Sequence, residues 1–318
     1  MKSVFLDYST VSVGDLDPGA LQTATPGLVL HDATRQDEVA ERIAGCEIVL
    51  LNKLKLTRDL IVGAKSLRLI ALAATGTNNV DLEAARERGV AVCNIRDYCT
   101  PSVVQHVLGV LLALTHRFAD YSRDAIDGTW SSSPHFTILR HPIRELGGRT
   151  LGVVGWGVLG KAVAQACETA LGMRVIVADR IGAAHIEGRV PLAELLATAD
   201  VVTLHCPVNE HTTGMIGARE ISLMKRDAVL INTARGALVD VEALASALRA
   251  GRLGGAAIDV LPQEPPVDGS PLFATDLPNL IVTPHTAWAA RESRQRCLDE
   301  MAANVRDFLA GGRRGRVT

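Results

Sequence analysis

Short apolar runs of the kind that form β-strands alternate with helical patterns along the whole 318-residue chain. Alternation of this kind is typical of βα units, in which helices join parallel strands and cover the faces of a sheet. The runs fall into two series, five beginning at Val4, Leu28, Ile48, Leu69 and Val90 and six beginning at Leu151, Val175, Val201, Val229, Ala256 and Leu280. We therefore predict an α/β fold with two Rossmann-like, doubly wound parallel sheets, since a chain of this length also exceeds what one hydrophobic core usually serves.

Two helical segments lie outside this alternation. One runs from Pro101 to about Ile126 and is apolar on nearly all sides, which predicts a buried helix, while its apolar run is too short to span a membrane. The other is an amphipathic helix near the end of the chain, with Leu298, Met301 and Val305 at helical spacing. The Gly- and Arg-rich residues 311–316 that follow it predict a disordered tail.

The overall composition excludes some classes of protein. The hydrophobic fraction of 47%, the charged fraction of 21% and the formal net charge of -2 describe an ordinary soluble protein, without the basic excess that nucleic acid requires. We therefore expect neither nucleic acid nor a membrane as a partner. The N-terminus carries no secretion signal, which favours the cytoplasm. The six cysteines are scattered without a CxxC pair, so we predict neither a disulfide framework nor a metal site.

A glycine-rich motif follows the first strand of the second series and opens a helix. Gly155 permits a tight turn, Gly157 lets the backbone approach a pyrophosphate, and Gly160 lets the helix pack closely on the strand. An acidic residue, Asp179, ends the next strand, and the six strands of this series fit a dinucleotide-binding sheet. A carboxylate there accepts hydrogen bonds from ribose hydroxyls and repels a 2'-phosphate, which favours NAD over NADP. Two alternatives stay open: Arg180 could receive that phosphate, and Asp179 could be a strand-end carboxylate bonded by turn amides.

Polar side chains follow three later strands of the same series, where ligands of open α/β sheets bind. Arg235 offers a planar fork of donors for a carboxylate, and His285 can exchange a proton near neutral pH. Glu264 would favour the protonated imidazole as its neighbour. These residues suit hydride transfer at C2 of a 2-oxo acid. The alternatives that remain open are a surface ion pair for Arg235, a capping role for His285 and a solvated loop carboxylate for Glu264. The adjacent residues His205 and Cys206 point to opposite faces of a strand and do not suit a nucleophile pair.

Four segments, residues 155–160, 232–236, 259–266 and 283–288, resemble the D-isomer-specific 2-hydroxyacid dehydrogenase family over essentially the whole chain. The resemblance implies a discontinuous substrate domain, residues 1–99 and 287–318, with an inserted cofactor domain, residues 100–286, and a homodimer. It also implies that Arg235 binds the substrate, that His285 is the acid and base, and that Glu264 is its partner. Asp259 would lie near the nicotinamide. The remaining residues expected to line the dinucleotide site are Leu159, Cys206, Pro207, Thr212, Thr233 and Ala234.

The resemblance also assigns substrate contacts to the first series. The loop with Thr75 and Gly76 is similar to the family's substrate-carboxylate loop, with an ordinary βα turn as the alternative. Within the family, Asn52, Trp288 and this loop are most similar to the branch of enzymes that interconvert D-glycerate and hydroxypyruvate and also reduce glyoxylate. Trp288 could equally be a core tryptophan. Trp130 matches a position that could reach a partner subunit, with interface packing as the alternative.

Other functions fit the same scaffold. Three alternatives remain open: the same chemistry on a bulkier 2-oxo acid, the oxidation of phosphite, and NAD sensing by a binding protein that catalyses no reaction. Glu264 argues against the formate dehydrogenase relatives, because a Gln occupies that position in them.

Overall fold

The computed structural model describes residues 1–318 and contains two compact units. The terminal unit consists of Met1–Cys99 with Trp288–Thr318, and the central unit is Thr100–Ala287. The strands are β1 Ser3–Phe5, β2 Val29–Leu30, β3 Ile48–Leu51, β4 Leu69–Leu72, β5 Ala91–Cys93, β6 Thr150–Val154, β7 Arg174–Val177, β8 Val201–Leu204, β9 Val229–Asn232, β10 Gly255–Ile258 and β11 Leu280–Val282. The helices are α1 Gly19–Ala24, α2 Val39–Arg42, α3 Arg58–Gly63, α4 Leu82–Glu87, α5 Thr100–His116, α6 Phe118–Ile126, α7 Val158–Leu171, α8 Leu192–Thr198, α9 Ala218–Leu223, α10 Val241–Arg249 and α11 Arg291–Leu309.

The terminal unit is built on a five-stranded parallel sheet with the order β2-β1-β3-β4-β5. Successive residues of β1, β3 and β4 contribute to two separate buried clusters, one on each face of the sheet. Residues of α2, α3 and α4 complete one cluster, and residues of α1 and α11 complete the other. Burial on both faces explains why these strands are continuous apolar runs and confirms the predicted doubly wound architecture.

The tail after α11 is ordered, so the prediction of disorder is wrong. The amide of Val317 donates to the carbonyl of Val92 at 2.8 Å, the amide of Asn94 donates to the carbonyl of Gly315 at 2.9 Å, and Arg316 forms an antiparallel bridge with Cys93. Because β5 is the last strand of the sheet, its outer edge would otherwise expose unpaired backbone groups. The tail satisfies these groups despite its flexible composition.

The central unit contains a six-stranded parallel sheet with the order β11-β10-β9-β8-β6-β7, which confirms the six predicted strands. Outside β7, Val190 forms a one-residue parallel bridge with Ala178. This bridge occupies the place of the third strand in the order 3-2-1-4-5-6 of dinucleotide-binding sheets. A single residue leaves no periodic pattern, which is why the sequence did not predict it.

The helical stretch predicted from Pro101 to Ile126 is two helices, α5 and α6, which meet at an angle of 56°. The break lies at Arg117, whose φ of 55° is left-handed and cannot continue a right-handed helix. α5 packs against α7 and against β9, β10 and β11, and Val107 and Leu111 are fully buried in it. No single helix has the length and apolar character of a membrane span, and only the bent pair of α5 and α6 meets such limits when the two are taken together.

Candidate active site

The predicted glycine motif forms a tight turn between β6 and α7. Gly155 has a φ of +105°, and a Cβ there would lie 2.5 Å from the carbonyl carbon of His205. A Cβ on Gly160 would lie 2.0 Å from the carbonyl oxygen of Gly155, so internal packing explains both glycines. A Cβ on Gly157 would meet no protein atom within 4 Å. Gly157 caps the 14-residue helix α7, whose first amides are available to phosphate oxygens, and this arrangement fits a dinucleotide pyrophosphate.

Asp179 lies just after β7 and carries a carboxylate with two local partners. Its Oδ2 lies 2.9 Å from Nδ1 of His185, and its Oδ1 accepts a hydrogen bond of 3.0 Å from the amide of Ile186. The hydrogen bond from His185, followed by the amide of Ile186, lowers the pKa of the Asp179 carboxyl from its usual value. The carboxylate of Asp179 is therefore charged at neutral pH, which fits both a ribose-binding residue and a strand-end carboxylate bonded by turn amides. Its oxygens keep lone pairs that can accept hydrogen bonds from ribose hydroxyls.

The segment after β8 is organised by hydrogen bonds rather than by a reactive thiol. The hydroxyl of Thr212 donates to the carbonyl of Pro207 at 2.8 Å and accepts from the amide of Asn209 at 2.8 Å. Burial raises the pKa of the Cys206 thiol to about 11, so the thiol is protonated at neutral pH. His205 is bonded through Nε2 to Thr203 at 2.9 Å, not to Cys206. These contacts are inconsistent with a Cys/His nucleophile.

Arg235 is held by its own turn after β9. The side-chain amide of Asn232 donates to the carbonyl of Arg235 at 2.9 Å and accepts from the amide of Ala234 at 3.0 Å. The guanidinium is exposed, donates to the carbonyl of Ala234 at 2.7 Å and pairs with no carboxylate. The surface ion pair considered from the sequence is therefore absent. A Cβ on Gly236 would lie 1.9 Å from the carbonyl carbon of Leu261, so the Arg235 turn packs directly on the loop after β10.

Nδ1 of His285 lies 2.6 Å from Oε2 of Glu264, and the structure thus brings together two side chains predicted from separate strand ends. The other oxygen of Glu264 accepts a hydrogen bond of 2.8 Å from the amide of Leu261, which orients the carboxylate. His285 has a left-handed φ of 55°, and its amide donates to the carbonyl of Asp259 at 2.8 Å. Nδ1 is occupied in this geometry, and Nε2 has no protein partner and can exchange a proton with a ligand.

Asp259 fixes the backbone that carries His285. Its side chain is 1% exposed, and it accepts hydrogen bonds from the hydroxyl of Thr283 at 2.6 Å, the amide of Thr286 at 2.8 Å and the amide of Ala287 at 3.0 Å. His106 of α5 lies 4.0 Å from the same carboxylate. Sequence reasoning missed His106, whose only signal is a histidine inside an otherwise apolar helix.

In the terminal unit, the loops that contain the predicted substrate residues are tied together. Asn79 donates to the carbonyl of Leu54 at 2.9 Å and to that of Asn52 at 3.2 Å, and the hydroxyl of Thr75 donates to the carbonyl of Ile95 at 2.9 Å. Gly76 is half-buried in the same loop as Thr75.

Two further side chains of this unit bear on the predictions. Asp7, which sequence reasoning missed, is buried and accepts hydrogen bonds from the amides of Asn52 at 2.8 Å and Lys53 at 2.7 Å. Trp288 packs edge-on against Tyr98 with ring centroids 6.2 Å apart, beside the core cluster that includes α11. This contact supports the core interpretation of Trp288.

Comparison with known proteins places the chain in a family. Residues 108–287 match the profile of the D-isomer specific 2-hydroxyacid dehydrogenase, NAD binding domain. The chain is 46% identical over 275 residues to a glycerate dehydrogenase of Methylorubrum extorquens, covering 86% of each protein. It is 35% identical over 318 residues to a hydroxypyruvate reductase of Blautia hydrogenotrophica, covering 98% of each. The chain belongs to the D-isomer-specific 2-hydroxyacid dehydrogenases, which confirms the resemblance predicted from the sequence.

Solved structures agree with this assignment. A crystal structure of a protein from Thermus thermophilus is 35% identical, covers 100% of both chains and superimposes with a TM-score of 0.86. An acyclic imino acid reductase in complex with NADPH and D-arginine is 25% identical, again covers 100% of both chains and has a TM-score of 0.84. The chain is therefore a nicotinamide-dependent oxidoreductase of the family that acts on small 2-hydroxy and 2-oxo acids.

Proposed function

We propose that this enzyme interconverts D-glycerate and hydroxypyruvate with NAD(H) and also reduces glyoxylate. The observation that carries the chemistry is the 2.6 Å contact between Nδ1 of His285 and Glu264, which leaves Nε2 of His285 available to the substrate. The choice of substrate is supported by the relatives named glycerate dehydrogenase and hydroxypyruvate reductase.

Each side chain has a distinct task in the reduction. When bound, the nicotinamide supplies the hydride that adds to C2 of the oxo acid. Arg235 binds the substrate carboxylate and polarises the C2 carbonyl with its planar donors. Nε2 of His285 donates its proton to the C2 oxygen as the carbonyl becomes a hydroxyl, and Glu264 stabilises the imidazolium before the transfer. In oxidation the neutral imidazole takes the proton back.

We also propose that Asn52, Thr75 and Gly76 contact the substrate, as the resemblance to the family implies. The backbone amides of the loop with Thr75 and Gly76 would bind the substrate carboxylate. The hydrogen bonds of Asn79 and Asp7 hold these loops in fixed conformations, which lowers the entropy cost of ordering them on binding. We propose no substrate contact for Trp288, because its packing on Tyr98 and the α11 core favours the structural role.

The cofactor preference follows from Asp179. Its ionised carboxylate accepts hydrogen bonds from the adenosine ribose and repels a 2'-phosphate, so we propose NAD(H) as the physiological cofactor. Leu159, Cys206, Pro207, Thr212, Thr233 and Ala234 would line the remainder of the dinucleotide site. Asp259 would lie near the nicotinamide while it holds the His285 segment.

We also propose a homodimer in the cytoplasm. Six large apolar side chains between residues 118 and 143 are exposed, which is unusual for a surface that faces only water. Trp130 is among them, and its indole nitrogen donates to the carbonyl of Phe136 at 3.0 Å. Light scattering coupled to gel filtration tests this proposal, and a monomer at micromolar concentration would contradict it.

A spectrophotometric panel tests the proposed substrate. NADH and NADPH oxidation are followed with hydroxypyruvate, glyoxylate, pyruvate and bulkier 2-oxo acids, and NAD reduction is followed with D-glycerate and with phosphite. We expect the highest kcat/KM with NADH and hydroxypyruvate. A preference for a bulkier acid or for phosphite would replace the substrate, and tight NADH binding without any turnover would indicate a sensor.

The assignment of His285 has its own test. His285→Ala should lower kcat by at least about 100-fold, because general acid catalysis typically contributes that much, while NADH affinity stays near that of the wild type. His135→Ala, which removes an exposed histidine of the same unit, serves as the matched control. Equal losses of kcat and NADH affinity in His285→Ala would instead indicate a structural histidine.

A further inference from the structure

A cavity of about 290 Å³ in the terminal unit lies apart from every residue assigned to catalysis. Its walls are the ordered tail, the segment that follows β5 and one face of α11. The charged side chains that line it are four arginines and one carboxylate: Arg96, Arg313, Arg314, Arg316 and Glu300. The cavity therefore has a marked positive excess in a chain whose formal net charge is -2.

The ion pairing inside this arginine cavity is incomplete. Glu300 pairs with Arg314 at 2.7 Å, and Nε of Arg316 donates to the carbonyl of Thr318 at 3.0 Å. Arg96 and Arg313 form neither a salt bridge nor a side-chain hydrogen bond with the protein. Two guanidinium groups are thus available to a ligand, each with a fork of donors that matches carboxylate or phosphate oxygens.

A buried polar atom provides a second, independent observation. Asn94 lines the same cavity and is 5% exposed, and its side-chain oxygen has no hydrogen-bond partner. An unpaired buried acceptor destabilises the protein, so a group that donates to it is favoured. A partly protonated anion, such as hydrogen phosphate, has acceptor oxygens for the arginines and a hydroxyl for Asn94.

We propose that the arginine cavity binds a small multivalent anion, either a phosphorylated or a polycarboxylate metabolite. The volume of about 290 Å³ lies just below the range for small-molecule pockets, about 300–1,000 Å³, so the ligand must be small. The charge excess favours at least two negative charges on the ligand.

The same residues connect the cavity to a loop used for the substrate, and this step rests on the proposed function. The side-chain amide of Asn94 donates to the carbonyl of Thr75 at 2.7 Å, and the backbone carbonyl of Asn94 accepts from Asn304 at 2.9 Å. Its backbone amide donates to Gly315 of the tail. An anion that draws Arg96 and Arg313 together therefore acts on the segment that holds Thr75, and we expect it to change KM for the oxo acid more than kcat.

Calorimetric titration of the full-length enzyme with inorganic phosphate and with citrate, at constant ionic strength, tests the site without reference to activity. We expect one anion per chain with Kd below about 1 mM for at least one probe. The double variant Arg96→Ala/Arg313→Ala should weaken binding by at least about tenfold, since charged hydrogen bonds are lost. Arg88→Ala, which removes an exposed arginine of the same unit outside the cavity, should bind as the wild type does.

The same titration separates this site from the substrate site. Arg235→Ala should bind the anion with unchanged affinity, whereas loss of binding in Arg235→Ala would place the anion at the catalytic arginine and overturn the proposal. Absence of binding by both probes, or equal affinity in the wild type and the double variant, would also overturn it. Tighter binding of phosphate or of citrate identifies the class of metabolite. Steady-state kinetics with the better probe then measure the expected change in KM, and failure of hydroxypyruvate as a substrate would leave the binding result intact.

Discussion

Replacing Glu264 by Gln removes the negative charge that lies 2.6 Å from Nδ1 of His285, and its effect can be worked out from that contact. A hydrogen bond to a charged group contributes about 1.5–3 kcal/mol. The His285 and Glu264 side chains are 28% and 34% exposed, so solvent screening favours the lower limit, about 1.5 kcal/mol. Since about 1.36 kcal/mol corresponds to a tenfold change in rate, kcat should fall by roughly tenfold in Glu264→Gln.

The same loss applies to both directions of the reaction. In reduction Glu264 stabilises the charged His285 ring from which Nε2 donates its proton, and in oxidation it stabilises the ring that receives the proton. We therefore expect kcat to fall by roughly tenfold in both directions, with KM and NADH affinity near those of the wild type. The assay is kcat measured with NADH and hydroxypyruvate and then with NAD and D-glycerate.

A surface pair provides the matched control for this experiment. Glu210 lies 3.6 Å from His211 and is 86% exposed, so Glu210→Gln should leave kcat unchanged in both directions. Glutamine at 264 retains a carbonyl oxygen for the amide of Leu261, so the melting temperature should stay near that of the wild type. Equal kcat for the wild type and Glu264→Gln would refute the assigned role of Glu264.

Three other predictions follow from single contacts. Gly160→Ala should lower the melting temperature by about 5 °C, because its Cβ would overlap the Gly155 carbonyl. Gly157→Ala should melt as the wild type does but should bind NADH at least about tenfold more weakly. Scanning calorimetry measures the first effect and NADH titration the second. Asp179→Ala should raise the ratio of kcat/KM for NADPH to that for NADH by at least about tenfold, as a like charge is removed from the phosphate position; an unchanged ratio would contradict the repulsion argument. Cys206, with its thiol pKa raised to about 11, should resist iodoacetamide at pH 7.5 in the native enzyme and react after unfolding, as peptide mass mapping can show.

The inner strands of both sheets, such as β3, β4, β8 and β9, were predictable because strands buried on both faces need largely apolar runs, which are visible in a sequence. The same holds for Gly155 and Gly160, whose spacing reflects a packing requirement of the turn itself. The break at Arg117 was not predictable, because no Gly or Pro marks it. Its left-handed conformation is a property of the packed structure rather than of the local sequence.

The ordered tail illustrates a different failure. A Gly- and Arg-rich composition predicts disorder only for a segment that has no binding partner. Here the free edge of β5 forms backbone hydrogen bonds with the tail and orders it. For the site, residue type and strand-end position were sufficient to bring Glu264 and His285 together as candidates. Asp7 and His106 were missed because their contacts come from distant parts of the chain.

The discontinuity of the terminal unit has a consequence for the newly made chain on the ribosome. Residues 1–99 emerge first, but one face of their sheet is completed by Leu298, Met301 and Val305 of α11. The edge of β5 is likewise paired only when the last residues have been made. The central unit, continuous from Thr100 to Ala287, can reach its native state during translation. We therefore expect residues 1–99 to mature after the central unit and to expose an apolar surface to chaperones until α11 and residues 315–317 have been made.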